Sequence, residues 1–275
     1  MRTTRSLACQ KTDADGFTQI DLLAVIMIFG ILCALLLPAL AGTKPNSQVF
    51  QCLENQRQLV RAWLMYSSDF NDVICLTGGL PYTAVTTTDN QINNGNWVHG
   101  RMDLAGAYST NTALVKAGSL FPYAKSVEIY KCPADTKMQS TGSGVTMNTI
   151  RSVSMNGWMN PISSPPNYSG HVFRKQSDIK SASTNFVVID ESPGSINDGW
   201  FDCDPYGYPT TWVDLPASYH NRAGGISFAD GHAEMKKWTD SMVILYSVPG
   251  GPTGNFVPQG TPPGDLKWLQ LRSTY

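Results

Sequence analysis

Charged side chains are scarce in this chain of 275 residues. Asp, Glu, Lys and Arg make up 15%, well below the ~25% of ordinary soluble domains. The formal net charge is −1, so no basic excess favours a nucleic-acid partner. There is no Gly-x-Ser-x-Gly elbow, no His-Glu-x-x-His pair and no Gly-rich phosphate loop, which removes the common signatures of hydrolases, zinc proteases and nucleotide-binding enzymes. The cysteines are spaced too widely for a Cys-x-x-Cys metal or redox site, and no internal repeat is visible. Gly, Pro, Asn, Ser and Thr take the place of charge. That composition points to a loop-rich, β-leaning head with neutral polar surfaces, and to a chain that is not an enzyme.

Charge is most completely absent between Leu22 and Leu40. As a helix this stretch spans about 29 Å, close to the ~30 Å hydrocarbon thickness of a bilayer. It is too long for the apolar core of a secretory signal, although Leu37-Pro38-Ala39-Leu40-Ala41-Gly42 has the small residues of a cleavage site. It is also apolar on every face, unlike a helix lying on a soluble core. Its expected reading is a membrane-spanning helix. Arg2, Arg5 and Lys11 precede it and favour a cytoplasmic N-terminus. Asp21 stands at its start, and a carboxylate in an apolar span needs a partner.

Gly16-Phe17-Thr18-Gln19-Ile20-Asp21-Leu22-Leu23 resembles the N-terminal signature of type IV prepilins and type II secretion pseudopilins. The resemblance implies a leader over 1–16, removed after Gly16 by a prepilin peptidase, and N-methylation of the new terminus at Phe17. It implies a transmembrane and assembly helix over 17–41, single-pass in the inner membrane, with a periplasmic or extracellular head. The family usually carries Glu where this chain has Asp21, and an apolar residue where it has Gln19. Pro38 stands where many pilins carry a kink proline, and proline loosens a helix by removing a backbone donor. In a dry filament the Asp21 carboxylate would pair with the terminal ammonium of a neighbouring subunit and set their register. Asp13 and Asp15 beside the cleavage point, and Pro45 beyond the apolar block, depart from the family pattern.

The expected fold is α+β and pilin-like: a long N-terminal transmembrane helix packed on a C-terminal antiparallel β-sheet head with long loops. An amphipathic helix is expected over 42–72, with Val49, Cys52, Leu53, Leu59, Val60, Trp63, Leu64 and Phe70 near three- and four-residue spacing. The head then runs over 73–275. In it, 77–119 reads as a long irregular loop anchored by Trp97, Val98 and Met102. Strands are expected at Val127–Lys131, ending in the Cys132-Pro133-Ala134-Asp135 turn, at Ser152–Trp158 and at Asn185–Asp190. The segment 197–216 reads as an ordered surface loop and the end of the chain as a loosely draped, Pro-rich tail. Gly225–Ala229 and His232–Lys236 flank Asp230-Gly231, a strong hairpin signal, in which Gly231 supplies positive φ.

His220 is followed by nine residues and then Asp230-Gly231. This resembles the C-terminal motif of a pilin-like subgroup, as do Cys52-Leu53-Glu54-Asn55 and Cys132-Pro133. His220, Asp230 and His232 are ligand types that suit zinc or another transition ion. The favoured alternative has His220 bonding the turn and locking the hairpin. No cofactor is expected, with calcium as a further possibility: pseudopilins bind it in a C-terminal loop, and Asp198, Asp202, Asp204 and Asp214 offer oxygen ligands. Cys52, Cys75, Cys132 and Cys203 allow three full disulfide pairings or none. Asp190-Glu191 is the one paired-carboxylate candidate for catalysis.

Three functions compete. The first is a structural subunit of a pilus or secretion pseudopilus, with prepilin peptidase, other pilin-like subunits and the inner membrane as partners. The second is an anchored module that binds a ligand or glycan through Trp97, Trp158, Trp200, Tyr206, Tyr208 and Trp212. An anchored hydrolase has the least support.

Overall fold

A computed structural model describes residues 19–41, 43–78, 95–141, 143–162, 172–246 and 264–275, with the side chains of 33–46 outside that description. The leader, Gly16 and Phe17 also lie outside it, as do the five tail prolines. The chain divides into two units, Met1–Asn46 and Ser47–Tyr275.

The first unit contains helix α1 (Gln19–Ala41) and the start of α2 (Thr43–Asp69). Leu, Ile, Val, Met and Ala occupy all sides of α1, and Pro38 falls inside it. Its described large apolar side chains, from Ile20 to Leu32, are all exposed; Phe29 is 65% exposed. Pro45 does not interrupt α2 but sits in its first turn, where a missing backbone donor costs nothing.

In the second unit, α2 carries its buried residues at Cys52, Asn55, Gln56, Leu59, Val60, Ala62, Trp63 and Ser67. These steps of three and four form one face. The face is partly polar, which apolar periodicity alone does not reveal, while Phe70 lies exposed at the end. Helices α3 (Ala107–Thr110), α4 (Thr112–Lys116) and α5 (Phe121–Ala124) follow. A small, largely exposed hairpin pairs β1 (Met138–Ser140) with β2 (Thr146–Asn148).

The main sheet comprises β3 (Val153–Asn156), β4 (Phe186–Asp190), β5 (Trp200–Phe201), β6 (Ala223–Phe228) and β7 (Ala233–Lys237), in the order β5-β3-β4-β6-β7. Helices α6 (Ser241–Tyr246) and α7 (Gly264–Ser273) complete the chain. One hydrophobic core joins α2 to Val153, Met155, Val187 and Val188. The other joins Phe186, Ile189, Ile226 and Phe228 to Leu266 and Leu269 of α7. Strand alternation sends neighbouring residues to the two cores, with a bulge between Phe186 and Val188.

The α+β class is as expected, but the transmembrane, antiparallel form of it is corrected. Among the described residues no helix is long and apolar enough to cross a membrane. The helix that lies on the sheet is α2. The sheet is mixed, because β5 runs parallel to β3.

Three local expectations also change. Glu128–Tyr130 is a 3-10 turn and not a strand, with Ile129 and Tyr130 both buried. The segment 197–216 is no surface loop: Phe201, Cys203, Trp212 and Leu215 are in the core. Residues 264–273 form α7, whose Asp265 anchors it by accepting from the backbone N–H groups of Thr239 at 2.5 Å and Asp240 at 2.7 Å. Strands at 153–156 and 186–190, the β6–β7 hairpin and the buried Trp97, Val98 and Met102 match the sequence reading.

Candidate functional site

The two halves of the His220–Asp230 motif sit at opposite ends of β6. His220 opens a tight turn. Its N–H donates to the Ala223 carbonyl at 3.0 Å, and the Ala223 N–H returns to the His220 carbonyl at 3.1 Å. Asn221 and Arg222 between them have φ of 52° and 67°, the left-handed pair that a type I′ turn requires. Asp230-Gly231 forms the β6–β7 tip. There the Gly231 N–H donates to the Phe228 carbonyl at 2.9 Å, and Gly231 has φ of 95°. Six strand residues separate the two turns, on the order of 20 Å. His220, Asp230 and His232 therefore do not converge, and His220 does not lock the Asp230-Gly231 turn.

At the tip, Asp230 Oδ1 meets His232 Nδ1 at 2.5 Å and accepts from the His232 N–H at 3.1 Å. Burial pushes the Asp230 carboxyl up, but these bonds outweigh it and hold the group below its usual range. The pair is exposed, and the His232 ring stacks on Phe228.

At the other end of β6, His220 meets a different set of residues. Cys52, Cys132, Asp190 and His220 place one ligand atom each within 4.8 Å of one another, the one such His/Cys/Asp/Glu grouping among the described residues. The Cys52 thiol donates to Asp190 Oδ2 at 2.9 Å, and Cys132 Sγ lies 3.2 Å from His220 Nε2. The other partners of Asp190 are the Gly225 N–H at 2.9 Å and the Gln56 amide at 3.3 Å. Gln56 is itself held, accepting from the Ser227 hydroxyl at 3.2 Å.

Each of the four comes from a different segment: α2, the turn after Tyr130, the end of β4 and the turn before β6. Cys132 is fixed where the Asp135 N–H donates to its carbonyl at 3.0 Å and its own N–H donates to Ser152 Oγ at 2.7 Å. The thiols and Asp190 are buried, and His220 is half-buried at the edge.

Burial is the leading influence on Asp190 and His220. It pushes the Asp190 carboxyl up to about 6, against the opposing bonds from Cys52, Gly225 and Gln56. The contact with Cys132, then burial and the Asp190 charge, push the Cys52 thiol far up, so it is protonated at neutral pH. Burial pushes His220 down, toward the neutral imidazole.

Other candidates fall elsewhere. Asp190 and Glu191 face opposite ways, as successive strand residues must. Glu191 accepts from Ser154 Oγ at 2.5 Å and Ser195 Oγ at 3.0 Å, and burial pushes it up to about 8. The two carboxylates therefore do not share a catalytic site. Asp198, Asp204 and Asp214 each cap a backbone N–H, those of Trp200, Tyr206 and Asp202, at 2.9, 2.8 and 2.6 Å. Asp198 and Asp204 cap turns, Asp214 ties two segments together, and Asp198, Asp202, Asp204 and Asp214 form no ion-holding grouping among the described residues. Trp97, Trp158 and Trp212 are core residues, so of the sugar-stacking set only Tyr206 and Tyr208 are exposed. Cys52, Cys75, Cys132 and Cys203 are all free thiols.

Sequence reasoning singled out each member of the cluster but grouped them wrongly. The segments around Cys52, Cys132 and His220 share one family resemblance, a signal that could group them, whereas Asp190 carries none.

No protein-family model matches the chain, no curated protein matches it, and no solved structure matches its fold.

Proposed function

We propose that this chain is a structural subunit of a pilus-like or pseudopilus-like filament, assembled through α1 and displaying residues 47–275 as its head. The observation that carries this reading is the surface of α1. Its large apolar side chains from Ile20 to Leu32 face solvent on every side, and a soluble monomer rarely exposes so continuous an apolar surface. Packing α1 against the same helix of neighbouring subunits would bury it, at roughly 25 cal/mol per Å² of apolar area removed from water.

The sequence around α1 supports the same reading. Gly16-Phe17-Thr18 immediately precedes the helix, which then carries Asp21 in its first turn. A prepilin peptidase would cut after Gly16 and methylate the Phe17 amine. The Asp21 carboxylate of one subunit would then meet the terminal ammonium of the next, with each charge offsetting the desolvation of the other.

N-terminal sequencing and intact mass of the chain recovered from its native host test the processing step. An N-methylated Phe17 start is expected, and an intact N-terminus or a cut after Ala41 overturns it. Asp21→Ala tests assembly: the variant should be processed normally yet recovered as unassembled subunits. Filaments of normal yield from Asp21→Ala would remove the role given to that carboxylate.

A further inference from the structure

We propose that Cys52, Cys132, Asp190 and His220 form a binding site for one thiophilic divalent cation of the zinc class, which ties α2 to the β4–β6 end of the sheet. The proposal is independent of filament assembly, since all four residues belong to 47–275.

The donor set fits that ion. Two sulfurs, one imidazole nitrogen and one carboxylate oxygen make a four-ligand shell of the type zinc takes in structural sites. With zinc bond lengths of about 2.0–2.3 Å, tetrahedral ligands lie roughly 3.6 Å apart. The thiol–carboxylate and thiol–imidazole edges measure 2.9 and 3.2 Å, and no edge exceeds 4.8 Å. Side-chain shifts of about an ångström would convert the grouping into a coordination shell. Calcium and magnesium are disfavoured, because they take oxygen ligands in sixfold or higher shells.

The charges balance as well. Binding displaces the two thiol protons to solvent. Two thiolates and the carboxylate then face a dication, which leaves a net charge of −1 on the centre. Without an ion, this buried carboxylate on a central strand has only neutral donors: the Cys52 thiol, one of the weakest side-chain donors, the Gly225 N–H and the Gln56 amide.

The surrounding structure positions the ligands in advance. Gly225 lets α2 approach: a Cβ there would lie 2.9 Å from both Cys52 Sγ and Asp190 Oδ2. Gln56 holds the second oxygen of Asp190, the outer-shell contact that orients a ligating carboxylate. His220, half-buried, is the side from which an ion enters.

Cobalt(II) titration of the full-length, reduced chain tests the site. The expected result is one cobalt per chain, with thiolate charge-transfer absorption and tetrahedral visible bands that zinc abolishes. Cys52→Ser and His220→Gln should lose the spectrum, and Cys203→Ala should keep it. Absence of the thiolate band in the unaltered chain overturns the proposal, as does a spectrum unchanged by Cys52→Ser.

A second measurement uses the unaltered chain and does not depend on variants folding. In dilute denaturant, one equivalent of zinc should slow alkylation of Cys52 and Cys132 by about tenfold or more, with Cys75 and Cys203 slowed less. Equal rates for all four with and without zinc overturn the site. A Cys52–Cys132 disulfide in the isolated chain, with no metal uptake after reduction, would make the pair a redox couple and overturn it too.

Discussion

The two ends of β6 carry the same functional groups in opposite circumstances. At the tip, Asp230 and His232 are exposed neighbours in sequence, bonded to each other, and the carboxyl is held below its usual range. At the base, Asp190 and His220 come from distant segments, join two thiols, and the carboxyl is pushed up to about 6 by burial. The tip satisfies its own polar atoms, and its charge is mostly solvated. The base withdraws an acid from water and surrounds it with soft ligands. An Asp/His pair read from sequence spacing is thus a turn device, while the chemically unusual pair is assembled by the sheet.

Substitution of the two glycines beside these sites should separate them most. Gly225→Ala forces a methyl against Cys52, Asp190 and Gln56, and urea unfolding should show a loss of about 3 kcal/mol, the upper range for overpacking. A loss no larger than that of Gly231→Ala would mean that α2 is loosely held at the base.

The pH response should differ in sign between the ends. For Asp190 in chelator-treated protein, the folded value of about 6 lies above the unfolded ~3.9. The folded state then binds more protons between those values, so this group lowers stability as pH rises from about 4 to about 6, by on the order of 2 kcal/mol. Its neighbours Cys52, Gln56 and the Gly225 N–H carry no charge there, the Asp135 charge adds to the upward push, and His220, within 4.8 Å and pushed down by burial, opposes the slope where it protonates. Asp190→Asn should flatten that slope in denaturation curves collected across pH. For Asp230 the sign reverses. Its folded value is depressed, so its contribution is present above about pH 4 and is lost as pH falls through the folded value. Asp230→Asn should remove only a small acid-side slope.

Gly231→Ala comes next, at about 1 kcal/mol, because an L side chain at φ of 95° is strained. His232→Ala should be smallest, below ~0.5 kcal/mol, since its partner is exposed. A loss above about 2 kcal/mol at His232 would show that the tip is more than a turn.

Much of the framework was legible locally. The run at Phe186–Asp190, the Asp-Gly hairpin and the α2 face follow from alternation, turn chemistry and three-to-four spacing. The errors have identifiable causes. Ile129 and Tyr130 resemble a strand by composition, yet one 3-10 turn buries both. The residues of 197–216 look polar and loop-like, but Phe201, Trp212 and Leu215 fill the core beneath α7. Asn55, Gln56 and Ser67 broke the apolar pattern of α2 because they bond to Lys131, Asp190 and Gln176, which sequence spacing does not display.

What this sequence determined by itself is local: an apolar helix behind a Gly-Phe-Thr junction, strands with two-residue alternation, and turns at Asp230-Gly231 and Cys132-Pro133. Such features depend on backbone preferences and solvent contrast over a few residues. Only the tertiary structure decided which acids and thiols meet. Cys52 and Asp190 are 138 positions apart, Cys132 and His220 are 88. Their contact depends on α2 crossing the β4–β6 pair at Gly225, where the missing side chain lets the helix come close enough for its thiol to reach the buried carboxylate.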